Sequence, residues 1–133
     1  MMKLHQGVDV VDILKFRNVS LKNKSFIEEI FTEGEKKYCL SKRDPYLHFA
    51  GRFAAKEACL KALGWGLFAM GIDHVLQDIE ISHHISGRPE IAVHGWMAKI
   101  ANRRGIEQYT VSISHSSHVA IAVVVLVGMP AKR

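Results

Sequence analysis

Asp9 is the only charged residue in the run Gly7-Val8-Asp9-Val10-Val11. A carboxylate buried in such company is costly unless it is paired or coordinates a metal; at a strand edge it would simply meet solvent or an arginine. A second carboxylate, Glu57, lies in Phe49-Ala50-Gly51-Arg52-Phe53-Ala54-Ala55-Lys56-Glu57-Ala58-Cys59-Leu60-Lys61-Ala62-Leu63-Gly64. Phe49, Phe53, Lys56, Glu57, Leu60, Lys61 and Gly64 recur three and four apart, which sets aromatic packing at one end of a helix side and a Lys-Glu-Lys group at the other. Two chemistries fit this spacing. Glu57 and Lys61 could form an exposed i,i+4 pair worth only about 0.2–0.5 kcal/mol. Alternatively, Glu57 ligates a metal and Lys61, one turn on, meets a phosphate oxygen. A third segment, Thr110-Val111-Ser112-Ile113-Ser114-His115-Ser116-Ser117-His118, offers short hydroxyl donors and histidines for a phosphate or a nucleotide edge. It has no GxSxG elbow, and neither His83-His84 nor His115/His118 has zinc-ligand spacing.

The elements that must position these residues are legible from periodicity and caps. Gln6 to Val11 reads as a strand with Val8 and Val10 on one face and Asp9 on the other. Asp12 caps a short helix over Ile13 to Val19, and a second helix covers Ser25 to Phe31. Thr32-Glu33-Gly34-Glu35 has the form of a capping box opening a helix through Leu40. Asp44-Pro45 begins, and Gly64 ends, the strongest helix, Tyr46 to Leu63. Gly51 inside it implies close approach of a neighbour. A loop or short helix runs from Trp65 to His74. Asp78 to His83 and Pro89 to Val93 flank the turn Ser86-Gly87-Arg88 as a hairpin. Trp96 to Arg104 is an amphipathic helix, Thr110 to Ser114 and Val119 to Val127 are strands, and Met129 to Arg133 is a frayed tail. The order predicts one α+β domain over residues 1–133, an antiparallel sheet packed against the long helix. Val119 to Val125 is apolar on both faces, so the strand is expected to be central or covered by another copy.

With 133 residues, 18 Lys+Arg against 13 Asp+Glu and a net charge of +5, the chain has one core and a bias toward anionic partners: nucleic acid, a phosphorylated small molecule or an acidic protein. The basic residues are scattered, and such charge also serves solubility alone. The longest apolar run, Val119 to Gly128, is about half of what a membrane-spanning helix needs. The N-terminus lacks the pattern of a signal peptide, so the expected location is cytoplasmic, with no membrane partner. Cys39 and Cys59, twenty residues apart, read as free thiols.

Taken together, Gly7-Val8-Asp9, the Arg52-Phe53-Ala54-Ala55-Lys56-Glu57 stretch with Lys61 and Gly64, the Gly87-Arg88-Pro89 turn and Ser112-Ile113-Ser114-His115 resemble the short, single-domain holo-acyl-carrier-protein synthases. That family lies within the 4′-phosphopantetheinyl transferases, and the similarity extends over essentially the whole chain. The resemblance implies that Asp9 and Glu57 bind Mg2+, with waters and the pyrophosphate of coenzyme A completing the shell. It implies further that Lys61 contacts phosphate oxygens at the reacting centre, and that Arg52, Gly64, Pro89, Ser114 and His115 border coenzyme A. Glu57 or a metal-bound water would act as base toward a serine of acyl carrier protein. Where the family carries an arginine facing the carrier, this chain has Lys15, followed by Arg17; where it carries a small hydroxyl residue after the helix-ending glycine, this chain has Trp65. Homotrimers with active sites between subunits are the implied assembly. Two rivals are a catalytically silent coenzyme A-binding relative, which intact Asp9, Glu57 and Lys61 disfavour, and a nucleic-acid-binding module. The latter lacks the interleaved aromatics or reading helix it would need.

Overall fold

Asp12 closes the first element and opens the second. In the computed structural model, which describes residues 1–64 and 75–130, strand β1 (Lys3–Asp12) runs directly into helix α1 (Ile13–Lys22). The Asp12 carboxylate accepts from the Lys15 N–H at 3.0 Å, satisfying one of the helix's orphan donors. Helix α2 (Ser25–Ile30) follows. Helix α3 (Glu33–Leu40) begins with the expected capping box: Thr32 Oγ1 accepts from the Glu35 N–H, and Glu35 Oε1 accepts from the Thr32 N–H. Helix α4 (Pro45–Ala62) starts at its proline and is followed by Gly64 at φ +80°, a left-handed position that glycine fills without strain. The hairpin β2 (Ile79–His83) and β3 (Pro89–Val93), helix α5 (Gly95–Arg103) and strands β4 (Ile106–His115) and β5 (Val119–Gly128) complete the described chain.

The three long strands form an antiparallel sheet in the order β1-β5-β4, and β2–β3 is a separate two-stranded sheet. Helix α4 lies across the inner face of the large sheet, as the α+β reading requires. Small residues permit it: Ala50, Ala54, Ala58 and Cys59 of α4 meet Ala120, Ala122 and Val124 of β5, all fully buried. Gly7 is the closest point. A Cβ there would stand 1.9 Å from the Ala58 carbonyl oxygen, so only glycine lets β1 lie this near the helix. At Gly51 the neighbour is the Ile113 side chain of β4. Fully buried Phe31, Leu60, Leu63 and Leu126 each add about 1.5–3 kcal/mol of apolar burial to this core.

Three readings are refined. The penultimate strand begins at Ile106 rather than Thr110, because a register shift between Ile106 and Gln108 breaks the alternation that marks a strand. The helix expected over Trp96 to Arg104 spans Gly95–Arg103. Strand β5 is central, yet only its inner face is covered: Ile121 and Val123, with Leu4, Val8 and Val10 of β1, leave an apolar outer face exposed. The segment expected as a loop or short helix from Trp65 to His74, and the last three residues of the tail, lie outside the described residues. Cys39 and Cys59 are buried free thiols, pushed by burial up to about 11 and about 12, so neither carries thiolate at neutral pH.

Candidate active site

The β1–α4 contact that Gly7 permits sets Asp9 beside the second half of α4. Lys61 Nζ donates to Asp9 Oδ1 at 2.9 Å and to the Val8 carbonyl at 3.1 Å. Glu57, one turn earlier on the same helix face, is 3% exposed, and its Oε1 is buried with no hydrogen-bond partner. Burial, and then the negative charge of Asp9, push the Glu57 carboxyl up to about 7, with Lys61 opposing. Two carboxylates held together, one with an orphaned oxygen, fit a hard divalent cation that takes oxygen ligands and keeps several waters. The described residues contain no group of three or more His, Cys, Asp or Glu able to hold a metal, so the protein's share would be these two carboxylates. An open groove continues from Asp9 and Glu57 along Lys15, Val19, Phe26 and Phe53. The α1 lysine singled out in the sequence therefore borders the carboxylates.

The remaining predicted residues gather elsewhere. Arg52 is 3% exposed; its Nη2 donates to His83 Nδ1 at 2.8 Å, and its guanidinium lies 3.9 Å over the Tyr38 ring. A guanidinium cannot accept, so His83 is the acceptor. His83 also stacks on Tyr38, with centroids 4.3 Å apart and planes 17° from parallel. Arg52, His48, His83, Pro89 and His115 line one pocket of about 210 Å3 between α3, α4, the hairpin and the end of β4. His48 and His83 are both held below the ordinary histidine value, first by burial and then by the charges of Arg52 and Lys42. A buried guanidinium beside these rings can take an anion with a flat, apolar or aromatic portion.

Helix geometry separates the two clusters. At about 100° per residue, Arg52 is roughly 140° and His48 roughly 180° around α4 from Glu57. Spacing suggested a single Lys-Glu-Lys side, but Lys56 departs from it: the residue is fully buried and its ammonium is paired with Glu35, away from Glu57 and Lys61. Burial pulls Lys56 below the usual lysine range, and Glu35 pulls it back. Ser114, adjacent to His115 in sequence, pairs with Ile121 on the outer sheet face, outside the pocket lining. Gly64 sits at the end of α4, where the Arg104 guanidinium approaches it and donates to the Leu63 carbonyl. Tyr38, His48 and His83 were not singled out from sequence as site residues; His48 stands one turn before Arg52 on α4, and only the fold brings the distant Tyr38 and His83 to them.

A profile described as the 4′-phosphopantetheinyl transferase superfamily matches residues 6–124, nearly the whole of the described fold. The chain belongs to that superfamily. Among curated relatives, the holo-[acyl-carrier-protein] synthase of Caldanaerobacter subterraneus subsp. tengcongensis is 37% identical over 127 residues, 96% of this chain and 97% of the relative. That of Syntrophus aciditrophicus is 42% identical, covering 92% of this chain and 94% of the relative. Among solved structures, the holo-[acyl-carrier-protein] synthase of Helicobacter pylori in complex with coenzyme A superposes with a TM-score of 0.75 at 33% identity, over 91% of this chain and 98% of that one. In this member of the superfamily, then, the α4 helix carries the Asp9-facing acid–lysine face and the Arg52 pocket on opposite sides.

Proposed function

We propose that the protein is a holo-acyl-carrier-protein synthase that transfers the 4′-phosphopantetheine group of coenzyme A to a serine hydroxyl of an apo acyl carrier protein, with Mg2+ held by Asp9 and Glu57. The observation that carries the reading is the Asp9–Glu57–Lys61 cluster with its unpartnered, buried Glu57 oxygen. In the reaction the serine oxygen bonds to the β-phosphorus and the bond from that phosphorus to the bridging pyrophosphate oxygen breaks. Adenosine 3′,5′-bisphosphate leaves with that oxygen. When bound, the metal supplies Lewis-acid withdrawal of charge from the phosphoryl oxygens. Lys61, half exposed and mobile on a four-carbon stem, turns its ammonium from Asp9 toward the developing negative charge. The serine proton would pass to Glu57, whose carboxyl burial raises to about 7 in the metal-free chain, or to a water on the metal. Arg52, Pro89 and His115 bind the nucleotide end of coenzyme A, and Lys15, at the mouth of the groove, faces the acidic carrier. The net charge of +5 steers both anions.

The two half-sites lie roughly 140° apart around α4. Their separation, and the uncovered apolar outer face of β1 and β5, support a homotrimer in which the carboxylate cluster of one copy meets the arginine pocket of the next. No helix among the described residues is long and apolar enough to cross a membrane. The proposed site of action, where coenzyme A and carrier proteins are at hand, is the cytoplasm. The test is to incubate the chain with coenzyme A, an apo acyl carrier protein and Mg2+, and to weigh the carrier. A gain of one phosphopantetheine that a chelator abolishes and added Mg2+ restores is expected; no gain with any of several apo-carriers refutes the reading.

A further inference from the structure

Lys56 has an unusual set of partners for a residue with no exposed surface. Its ammonium donates three times at 2.7 Å each, to Glu35 Oε1, to the Leu76 carbonyl and to the Ile79 carbonyl. Three donors on three acceptors satisfy the ammonium fully, which a buried lysine requires. Glu35 is equally engaged. Its Oε1 also accepts from the Thr32 N–H, and its Oε2 accepts from the Ile81 N–H at 2.9 Å. The carboxylate of an α3 capping box thus doubles as the anchor of a second sheet.

The backbone groups involved are telling. Among the described residues, strand β2 pairs with β3 along one edge only. On its other edge the Ile79 carbonyl and the Ile81 N–H are taken by Lys56 and Glu35, where a third strand would otherwise be needed. The side-chain pair therefore docks the hairpin to α4 and α3 together. What it docks is the wall of the coenzyme A pocket. His83 stands two residues beyond Ile81, Tyr38 stands one turn beyond Glu35, and Arg52 stands one turn before Lys56 on the same helix face. These are the three members of the Tyr38–His83–Arg52 stack, and each is one short step from the pair.

From this placement we infer that Lys56, through Glu35, is a positioning residue for the coenzyme A half-site: it touches no ligand and fixes the hairpin wall against Arg52. The inference rests on the assignment of that pocket to coenzyme A. A lysine serving stability alone would lower the folded fraction and leave the affinity of folded molecules untouched. A positioning lysine changes the affinity itself.

The experiment compares the full chain with the double variant Glu35→Gln/Lys56→Met, which removes both charges, keeps one acceptor oxygen that can serve either the Thr32 or the Ile81 N–H, and replaces a buried ion pair by groups of similar shape. Glu35→Asp, which keeps the charge and both acceptor oxygens on a shorter side chain, serves as the milder second variant should the double variant fold poorly. Adenosine 3′,5′-bisphosphate is titrated by calorimetry, which reads the pocket without turnover, and steady-state transfer is measured against coenzyme A and against carrier. Expected are at least tenfold weaker nucleotide binding and a similar rise in KM for coenzyme A in the double variant, with smaller changes in Glu35→Asp. KM for carrier and kcat at saturating coenzyme A should stay within about twofold. The Ile81 amide should exchange with solvent faster while amides of β5 keep their protection. Unchanged nucleotide affinity in folded variants overturns the positioning role and leaves the transferase reading standing. A wild-type chain that neither binds the nucleotide nor modifies a carrier overturns both.

Discussion

Glu57→Gln should make the metal-free protein more stable at neutral pH, and by an amount the structure sets. The Glu57 carboxyl is buried beside Asp9 and titrates at about 7, against 4.5 for an unperturbed glutamate. Its folded-state value is raised, so the folded chain binds this proton more tightly than the unfolded chain. The stability this confers is fully present below about pH 4.5 and is lost as the pH rises through about 7. At about 1.4 kcal/mol per pH unit, the ionised carboxylate costs the metal-free fold about 3 kcal/mol at pH 8. Glutamine has the same shape and no proton to lose, so it removes that cost. Urea unfolding followed by far-ultraviolet circular dichroism, with chelator present and protein concentration fixed, should place the variant about 3 kcal/mol above wild type at pH 8. The gap should close toward pH 4.5. Added Mg2+ should stabilise wild type and leave the variant unmoved. A variant no more stable than wild type at pH 8, or a gap independent of pH, would refute the argument that this site stores an unfavourable charge for a cation to relieve.

Two further outcomes follow from packing. Gly7→Ala drives a methyl to within 1.9 Å of the Ala58 backbone carbonyl oxygen, which cannot turn aside; separating β1 from α4 should cost about 3 kcal/mol and lower the melting temperature by about 10 °C. A variant that melts with wild type would show that the strand shifts without cost. Val123→Glu sets a charge in the middle of the exposed outer face; light scattering should give the mass of a single 14.9 kDa chain and transfer should fall, whereas an unchanged oligomer would remove that face from the interface.

How much of this could be read beforehand divides along local and tertiary lines. The Asp12 cap, the Thr32–Glu35 box, Pro45 and Gly64 are signals contained within four or five residues, and each marks a boundary the structure shows. Asp9 and Glu57 stood out because a carboxylate in an apolar setting demands an explanation from its own surroundings. The placement of Lys56 did not, because residues 56, 57, 60 and 61 occupy a wide arc of α4 and spacing does not say which edge of the arc meets the core. Its partner lies 21 residues away and its carbonyl acceptors 20 and 23, separations that carry no local trace. Ser114 and His115 were expected together at coenzyme A from the family resemblance; neighbours on a strand point to opposite faces, and in this chain Ser114 lies on the sheet's outside and His115 in the pocket. The early part of β4 was hidden by its bulge.

The division of α4 into two functional sides bears on what a damaged copy can still do. If the cleft is completed by a neighbour, a chain that has lost its Asp9 carboxylate still offers an intact Arg52 pocket to the copy beside it, and a chain with a ruined pocket still offers its carboxylates. Mixed assemblies of two individually inactive chains then contain some whole clefts. Lesions on opposite sides of this one helix would complement each other, while two lesions on the same side would not.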